Sequence, residues 1–246
     1  MTESFRPCAV IPTFDNPLTV AGVVEDVRRH LDDVIVVDDG SAGPGRDAVD
    51  ALARSNAARI VRRDHNGGKG AAVKTGLATA RELGFSHALQ IDADGQHDPA
   101  DIPRFLELAA ARPQAAVLGQ PIFDSSTPRG RRAAHGLTNF WTRIETAGPA
   151  IADPQCGYRV YPLPAACEVA ARSDRMAFDI EIAVRLVWAG VPIINLPTRV
   201  RYLPPEGGGV SHFRPFRDNL AISWMHTRLV LGSLFWRLTR GARRHR

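Results

Sequence analysis

The sequence predicts an α/β protein: a mostly parallel sheet with helices on both faces, followed by a C-terminal amphipathic helix. Three observations carry this. Short apolar runs suited to strands alternate with helix-patterned segments at regular intervals through the first hundred residues, and such alternation implies a parallel sheet covered on both sides. One run, Val34-Ile35-Val36-Val37, is β-branched throughout, the mark of a strand buried on both faces. Polar clusters then follow the runs at residues 12–16, 38–39, 66–70 and 92–96, the strand ends where open sheets of this kind bind ligands. Four such clusters on one edge are hard to explain as four unrelated turns.

The elements follow in order. Cys8-Ala9-Val10-Ile11 reads as the first strand, stopped by Pro12. Residues 17–30 have helical spacing through Leu18, Val20, Val23, Val24 and Val27. The strand at 34–37 ends in Asp38-Asp39-Gly40-Ser41. Residues 47–56 form a short helix, 59–61 a third strand and 64–68 a loop. The next helix, 69–83, puts Ala71, Val73, Leu77 and Ala80 on its apolar side. Ala88-Leu89-Gln90-Ile91 is the central strand and runs into Asp92-Ala93-Asp94-Gly95-Gln96-His97. Residues 99–111 are a helix with Pro99 at its start. Residues 115–119 are a fifth strand, 121–132 a Pro-, Ser- and Arg-rich loop, and 133–146 a helix. The stretch 153–161 opens the second half. A helix spans 178–189 and stops at Gly190, strands follow at 193–196 and 199–202, then a loop at 204–209 and a helix from 215 to about 239. With no repeat and no low-complexity linker, one catalytic body is expected over 1–213, with 214–246 as a basic amphipathic helix and tail.

Composition narrows the class. Of the 246 residues, 44% are hydrophobic and 23% charged, which suffices for a sizeable core. The net charge of +5 is uneven: Arg237, Arg240, Arg243, Arg244 and Arg246 crowd the end. Cys8, Cys156 and Cys167 lie far apart without C-x-x-C spacing, which argues against a zinc site or a disulfide framework and fits a reducing cytosol. The first ten residues lack the apolar core of a signal peptide, and no apolar run approaches membrane-spanning length. The expected location is therefore cytoplasmic.

The chemistry concentrates at Asp92-Ala93-Asp94. Alternation in an extended chain points both carboxylates the same way, and their repulsion is relieved by a cation. Mg2+ or Mn2+ suits such oxygen ligands, usually one or two carboxylates plus substrate phosphates. Gln96 and His97 can reach the same spot. The plain alternative is an Asp–Gly turn, and the same alternative stands at Asp38-Asp39-Gly40-Ser41, where a carboxylate could otherwise accept from a nucleobase or a ribose. Asn66-Gly67-Gly68-Lys69-Gly70 offers backbone N–H groups, a helix start and a lysine, which suit a diphosphate. It is not a Walker A loop, because Arg63 stands at its first glycine position and no Ser or Thr follows Lys69.

These motifs, V-V-D-D-G-S, N-x-G-K-G, D-A-D-G-Q-H and D-P-Q-C-G-Y-R, resemble the family 2 glycosyltransferases over residues 8–213. The nearest likeness is to the dolichyl-phosphate mannosyltransferase-like branch. The resemblance implies the A-type glycosyltransferase fold, Rossmann-like and mostly parallel, and an inverting, metal-dependent enzyme that uses a nucleotide sugar. It further implies that Pro12, Phe14, Asn16 and Asp39 line the nucleoside pocket, that Lys69 approaches the diphosphate, and that Asp92 contacts the nucleotide sugar. Asp94 and Gln96 would hold Mg2+ or Mn2+. Asp153 and Arg159 would border the sugar and acceptor side, and His212 would close on the phosphates. Asp179 and Glu181 match the family's acceptor-side acid. Asp15-Asn16 stand where the family often has Asn-Glu, which leaves uracil or guanine open.

Asp179 and Glu181, two residues apart, cannot share a helical face, so at most one is a general base. The other reading is first-turn acids favoured by the helix dipole. The acid pair favours a hydroxyl on a lipid-linked or hydrophobic acceptor. The arginines Arg129, Arg131, Arg132, Arg159 and Arg201 favour a polyprenyl phosphate. The expectation leans to the hydroxyl. In the tail, Leu220, Trp224, Leu231, Phe235 and Leu238 fall on one side of a helix flanked by arginines, the pattern of a helix lying at a membrane interface. Packing on the sheet or on a second subunit, as a homodimer, is the alternative. The expected partners are thus a nucleotide sugar, that acceptor and the inner face of a membrane, and not nucleic acid. The rival classes are a sugar-nucleotide pyrophosphorylase, whose Gly-rich loop is missing after Ile11, and a non-catalytic membrane-associated nucleotide-binding protein.

Overall fold

The computed structural model describes residues 4–122, 129–201 and 215–244. The elements are β1 (Pro7–Thr13), α1 (Val20–Arg28), β2 (Val34–Asp38), α2 (Gly43–Arg54), β3 (Arg59–Arg62), α3 (Lys69–Glu82), β4 (His87–Gln90), α4 (Ile102–Ala111), β5 (Ala116–Pro121), α5 (Arg129–Glu145), β6 (Arg159–Pro162), α6 (Leu163–Glu168), α7 (Phe178–Trp188), β7 (Ile193–Thr198) and α8 (Pro215–Arg244). A short 3-10 turn, Pro99–Asp101, leads into α4. The seven strands form one sheet in the order β3-β2-β1-β4-β6-β5-β7. Every described pairing is parallel except the two made by β6, which runs antiparallel between β4 and β5.

The sheet divides the core by strand parity. Cys8, Val10, Ile35 and Val37 pack on one face with α3, α6 and α7. Ala9, Ile11, Val34 and Val36 pack on the other with α1 and α4. All five residues of β2 are buried, as a continuous β-branched run requires.

Several expected boundaries move. β1 continues through Pro12 to Thr13. Val10 O accepts from Ile91 N and Thr13 O from Asp39 N, so alternation aims the Pro12 nitrogen toward β4. β4 has already ended there, and the missing N–H leaves no ladder bond unmade. α1 begins only at Val20, because the Thr19 hydroxyl donates to Ala93 O at 2.6 Å and fixes residues 17–19 as a turn. α2 begins earlier than expected, at Gly43. Residues 129–132 are the first turn of α5 and not loop, while 123–128 lie outside the described residues. The expected strand at 199–202 does not form over its described part. Asp101 Oδ2 takes Thr198 Oγ1 at 2.6 Å, Arg201 N donates to Gln96 O at 2.7 Å, and Val200 makes only an isolated bridge to His97. Its last residue, 202, lies outside the described residues, as does the loop 204–209. β6 and α6 were not anticipated; β6 opens on a buried arginine, which hides its apolar character.

Candidate active site

The four polar clusters do meet on one edge of the sheet. Their centre is Lys69, the first residue of α3. Its Nζ lies 2.7 Å from Asp92 Oδ2, beyond β4, and 2.7 Å from Asp179 Oδ2, in the first turn of α7. Burial works against the Lys69 charge, but Asp179 and Asp92 outweigh it and hold the ammonium well above the ordinary lysine range. Burial likewise works against Asp92, and Lys69 with His97 pulls its carboxyl well below the usual carboxylate range. The approach is close enough that a Cβ at Gly157 would collide with both Asp92 Oδ2 and Lys69 Nζ. Only a residue without a side chain lets the 153–158 turn seal this cluster.

Asp94 stands in a different field. Burial first, and then the negative charge of Asp92, raise its carboxyl. Its Oδ1 accepts from Gln96 N at 3.0 Å across Gly95, whose φ is 70°. The Asp–Gly turn and the acidic site are therefore the same object. Asp92 Oδ1 is buried with no hydrogen-bond partner among the described residues. An orphaned buried carboxylate oxygen next to a carboxyl that resists ionising fits a divalent cation. Among the described residues no three His, Cys, Asp or Glu side chains form a complete metal cage, so such an ion would need oxygens from a substrate as well. Gln96 is engaged through its backbone, with N on Asp94 and O on Arg201.

The other expected residues divide. Asn16 Oδ1 accepts from Phe14 N at 3.3 Å and ties the turn after Pro12 to itself. Asp15, with φ 48°, reaches across to Ala42 N and Ser41 Oγ. Asp39 is already occupied: it takes Arg63 Nε at 2.7 Å, Gly67 N at 3.1 Å and Gly68 N at 2.7 Å. It shapes the glycine loop, and the loop's amides are correspondingly less free than the sequence suggested. Ala71 N is also taken, by Asp174 O at 2.9 Å, so three amides around Lys69 are already committed within the protein. Asp153 caps its own turn through Gln155 N and Cys156 N and pairs with His135 Nδ1 at 2.6 Å.

Arg159 needs correction as a ligand-facing residue. It is fully buried, and its guanidinium donates to Cys156 O, Pro154 O, Asp179 O and Tyr161 OH. Those bonds brace the turn and α7 from inside. Glu181 points away from Asp179: its partners are Ser173, Arg185 and Arg228. Of the acid pair, only Asp179 joins the Lys69 cluster. His212 lies outside the described residues.

Sequence reasoning missed Gln90 and Tyr161. Gln90 Nε2 donates to Asp179 Oδ1 at 3.0 Å, and Tyr161 OH donates to Gln90 Oε1 at 3.2 Å. A glutamine inside an apolar strand was the available signal, since a fully buried amide needs partners.

α8 carries two apolar faces. Met225 and Leu229, with Asp218, His226 and Ser233, are buried where the helix packs on α5 and α7. His226 Nδ1 meets Glu145 Oε1 at 2.7 Å and Trp236 Nε1 donates to Trp188 O at 3.0 Å. The five residues singled out from sequence are all on the other side and exposed, Trp224 by 63% and Phe235 by 71%. Leu137, Phe140 and Trp141 of α5 are exposed as well. No described helix is long and apolar enough to cross a membrane.

Comparison with known proteins gives the family and the fold. The family described as glycosyl transferase family 2 matches residues 8–162. The chain is 29% identical over 204 residues to the undecaprenyl-phosphate mannosyltransferase of Micrococcus luteus, covering 78% of this chain and 82% of that protein. It is 29% identical over 203 residues to the polyprenol monophosphomannose synthase of Mycolicibacterium smegmatis, covering 78% and 76%. Among solved structures, glucosyl-3-phosphoglycerate synthase from Mycobacterium tuberculosis, in complex with Mn2+ and UDP-glucose, matches with a TM-score of 0.67 at 17% identity, over 93% of this chain and 78% of that one. At that identity the likeness concerns the fold alone.

Proposed function

The chain belongs to glycosyl transferase family 2, and from that premise we propose that it moves a sugar from a nucleoside-diphosphate donor to the phosphate of a polyprenyl lipid, with inversion, at a membrane surface. The observation that carries the reading is the Lys69–Asp92–Asp179 cluster at the carboxyl end of β4, with Asp92 Oδ1 unsatisfied beside Asp94. The undecaprenyl-phosphate mannosyltransferase and the polyprenol monophosphomannose synthase are named for polyprenyl-type phosphates, which supports the acceptor class and the likeness to the dolichyl-phosphate mannosyltransferase branch.

Mg2+ or Mn2+ would be held by Asp92 and Asp94, with Gln96 beside them, and would neutralise charge on the departing diphosphate. Lys69 places a permanent positive charge where that diphosphate must lie, and its two carboxylate partners hold it there. Asp179 is fixed from both sides, by Lys69 and by Gln90, and in this reading it faces the acceptor. Asp179 is already committed to the Lys69 ammonium and the Gln90 amide, and Glu181 is out of reach, turned to Ser173 and Arg185. This is why the proposal departs from the hydroxyl acceptor: an ionised lipid phosphate needs no base. In this reading residues 1–213 do the chemistry and 214–246 place it. The exposed stripe of α8, adjoined by Leu137, Phe140 and Trp141, lies in the headgroup region, with basic residues toward anionic lipid.

The test is transfer from a panel of radiolabelled UDP- and GDP-sugars to undecaprenyl phosphate in vesicles, with Mn2+, Mg2+ or chelator. Lipid-extractable label from one donor, lost with chelator, is expected. Transfer to an alkyl glycoside hydroxyl but not to the lipid phosphate would overturn the acceptor assignment.

A further inference from the structure

Glu181 is fully buried and lies outside the Lys69 cluster, yet among the described residues it is one of the most heavily bonded carboxylates. Its Oε2 accepts from Ser173 N at 2.8 Å and from Ser173 Oγ at 2.6 Å, and its Oε1 accepts from Arg185 Nε at 2.8 Å. The segment it grips, 173–175, is the roof of the glycine loop. Asp174 O accepts from Ala71 N at 2.9 Å, Asp174 Oδ1 pairs with Lys74 Nζ at 2.6 Å, and Arg175 Nη1 donates to Asn66 Oδ1 at 3.4 Å. A Cβ at Gly68 would stand 2.7 Å from Asp174 O, and one at Gly70 would stand 2.9 Å from Ser173 O. The roof therefore rests directly on the two residues flanking Lys69.

We infer that Glu181 is a positioning residue: through Ser173 it sets the 67–71 loop and Lys69, and through Arg228 it links that setting to α8. The inference rests on the donor site proposed above. Arg228 Nη2 lies 3.6 Å from Glu181 Oε2, too far for a hydrogen bond, and its buried Nε has no partner among the described residues. Arg228 is thus the loosely engaged member of the node, and it is carried by the helix whose outer face is proposed to meet lipid. A shift of α8 changes the charge facing Glu181, and Glu181 passes it to the loop through two hydrogen bonds to one residue.

Hydrogen–deuterium exchange on the whole chain tests this without activity, using Glu181→Gln and the more peripheral Arg228→Gln. Expected is exchange about tenfold faster at residues 67–71 in both variants, with β1 and β2 unchanged. The Kd for UDP or GDP with Mn2+ should rise at least about fivefold in step, while the lipid-phosphate KM holds. Faster exchange confined to Ser173 and the start of α7, with 67–71 and nucleotide affinity unchanged, would overturn the positioning role. Unchanged 67–71 exchange in Arg228→Gln would overturn the link to α8, and that variant decides if Glu181→Gln fails to fold. Failure of the donor-site reading looks different: wild-type protein binds neither nucleotide with Mn2+, while the exchange pattern still appears.

Discussion

Replacing Gly157 by alanine isolates the acidic cluster from the rest of the fold. Gly157 is not among the residues with positive φ, so alanine costs nothing in backbone conformation. Its Cβ, however, would land on Asp92 Oδ2 and Lys69 Nζ. The turn cannot back away, because the flanking Cys156 and Tyr158 are buried. Overpacking of this kind costs about 1–3 kcal/mol. Removing one partner of a buried pair outright costs about 3–5 kcal/mol, but Lys69 keeps Asp179 at 2.7 Å, so the overpacking range applies. A loss of about 2 kcal/mol lowers the Tm by roughly 4–8 °C in a chain of this size. Transfer should fall much further, by about a hundredfold, because displacing a charge of the proposed donor site by an ångström costs on that order. Gly22→Ala is the control: it sits in α1 with nothing within 4 Å of the new methyl, and it should raise stability by about 1 kcal/mol with transfer unchanged. The readouts are thermal denaturation and sugar transfer. Transfer by Gly157→Ala within about threefold of wild type would refute the placement of the chemistry at Lys69 and Asp92.

Three further outcomes are expected. Asp94→Asn should abolish Mn2+-dependent nucleotide binding in calorimetry. It should also leave metal-free stability at neutral pH unchanged or higher, since it removes a carboxyl that burial and Asp92 make reluctant to ionise; a large Tm loss would mean a structural role instead. Glu181 is held below the ordinary glutamate range: burial opposes its charge, but the bonds from Ser173 and Arg185 prevail. A depressed carboxylate contributes stability above its unfolded value and loses it as pH falls through the folded one. Wild-type Tm should therefore drop more steeply than that of Glu181→Gln below about pH 4, and parallel profiles would contradict this. Finally, the combined Trp224→Ser, Leu231→Ser and Phe235→Ser variant should lose sedimentation with anionic vesicles at low salt without losing Tm, because only the exposed face changes. Deleting α8 is the poorer test, since it would also uncover the partners of Met225 and Leu229. Unaltered vesicle binding with a shift from dimer to monomer would assign the stripe to self-association.

The amino-acid sequence by itself determined the parallel strands β1 to β4, their strand-end clusters and the family likeness, but not the antiparallel β6. These rest on short-range patterns, such as the β-branched run of 34–37, the Asp92-Ala93-Asp94 spacing and the glycines around Lys69, which report local backbone preference and burial directly. It also showed the amphipathic stripe of α8. Tertiary structure decided which of those polar groups join the Lys69 cluster. Asp179 and Glu181 are two residues apart and alike in composition, but α7 turns one toward Lys69 and the other toward Ser173 and Arg185. Arg159 reads as a ligand for phosphate, but it is buried at the start of β6, where its guanidinium satisfies the carbonyls of Pro154 and Cys156 in the preceding turn and of Asp179 in α7. α8 looked like a helix with one apolar face and has two, since Met225 and Leu229 are too few to stand out in sequence but enough to seat it on α5 and α7. Spacing along a chain fixes what is adjacent on one element. Which side chain meets which across elements depends on packing, and packing is what separated Asp179 from Glu181.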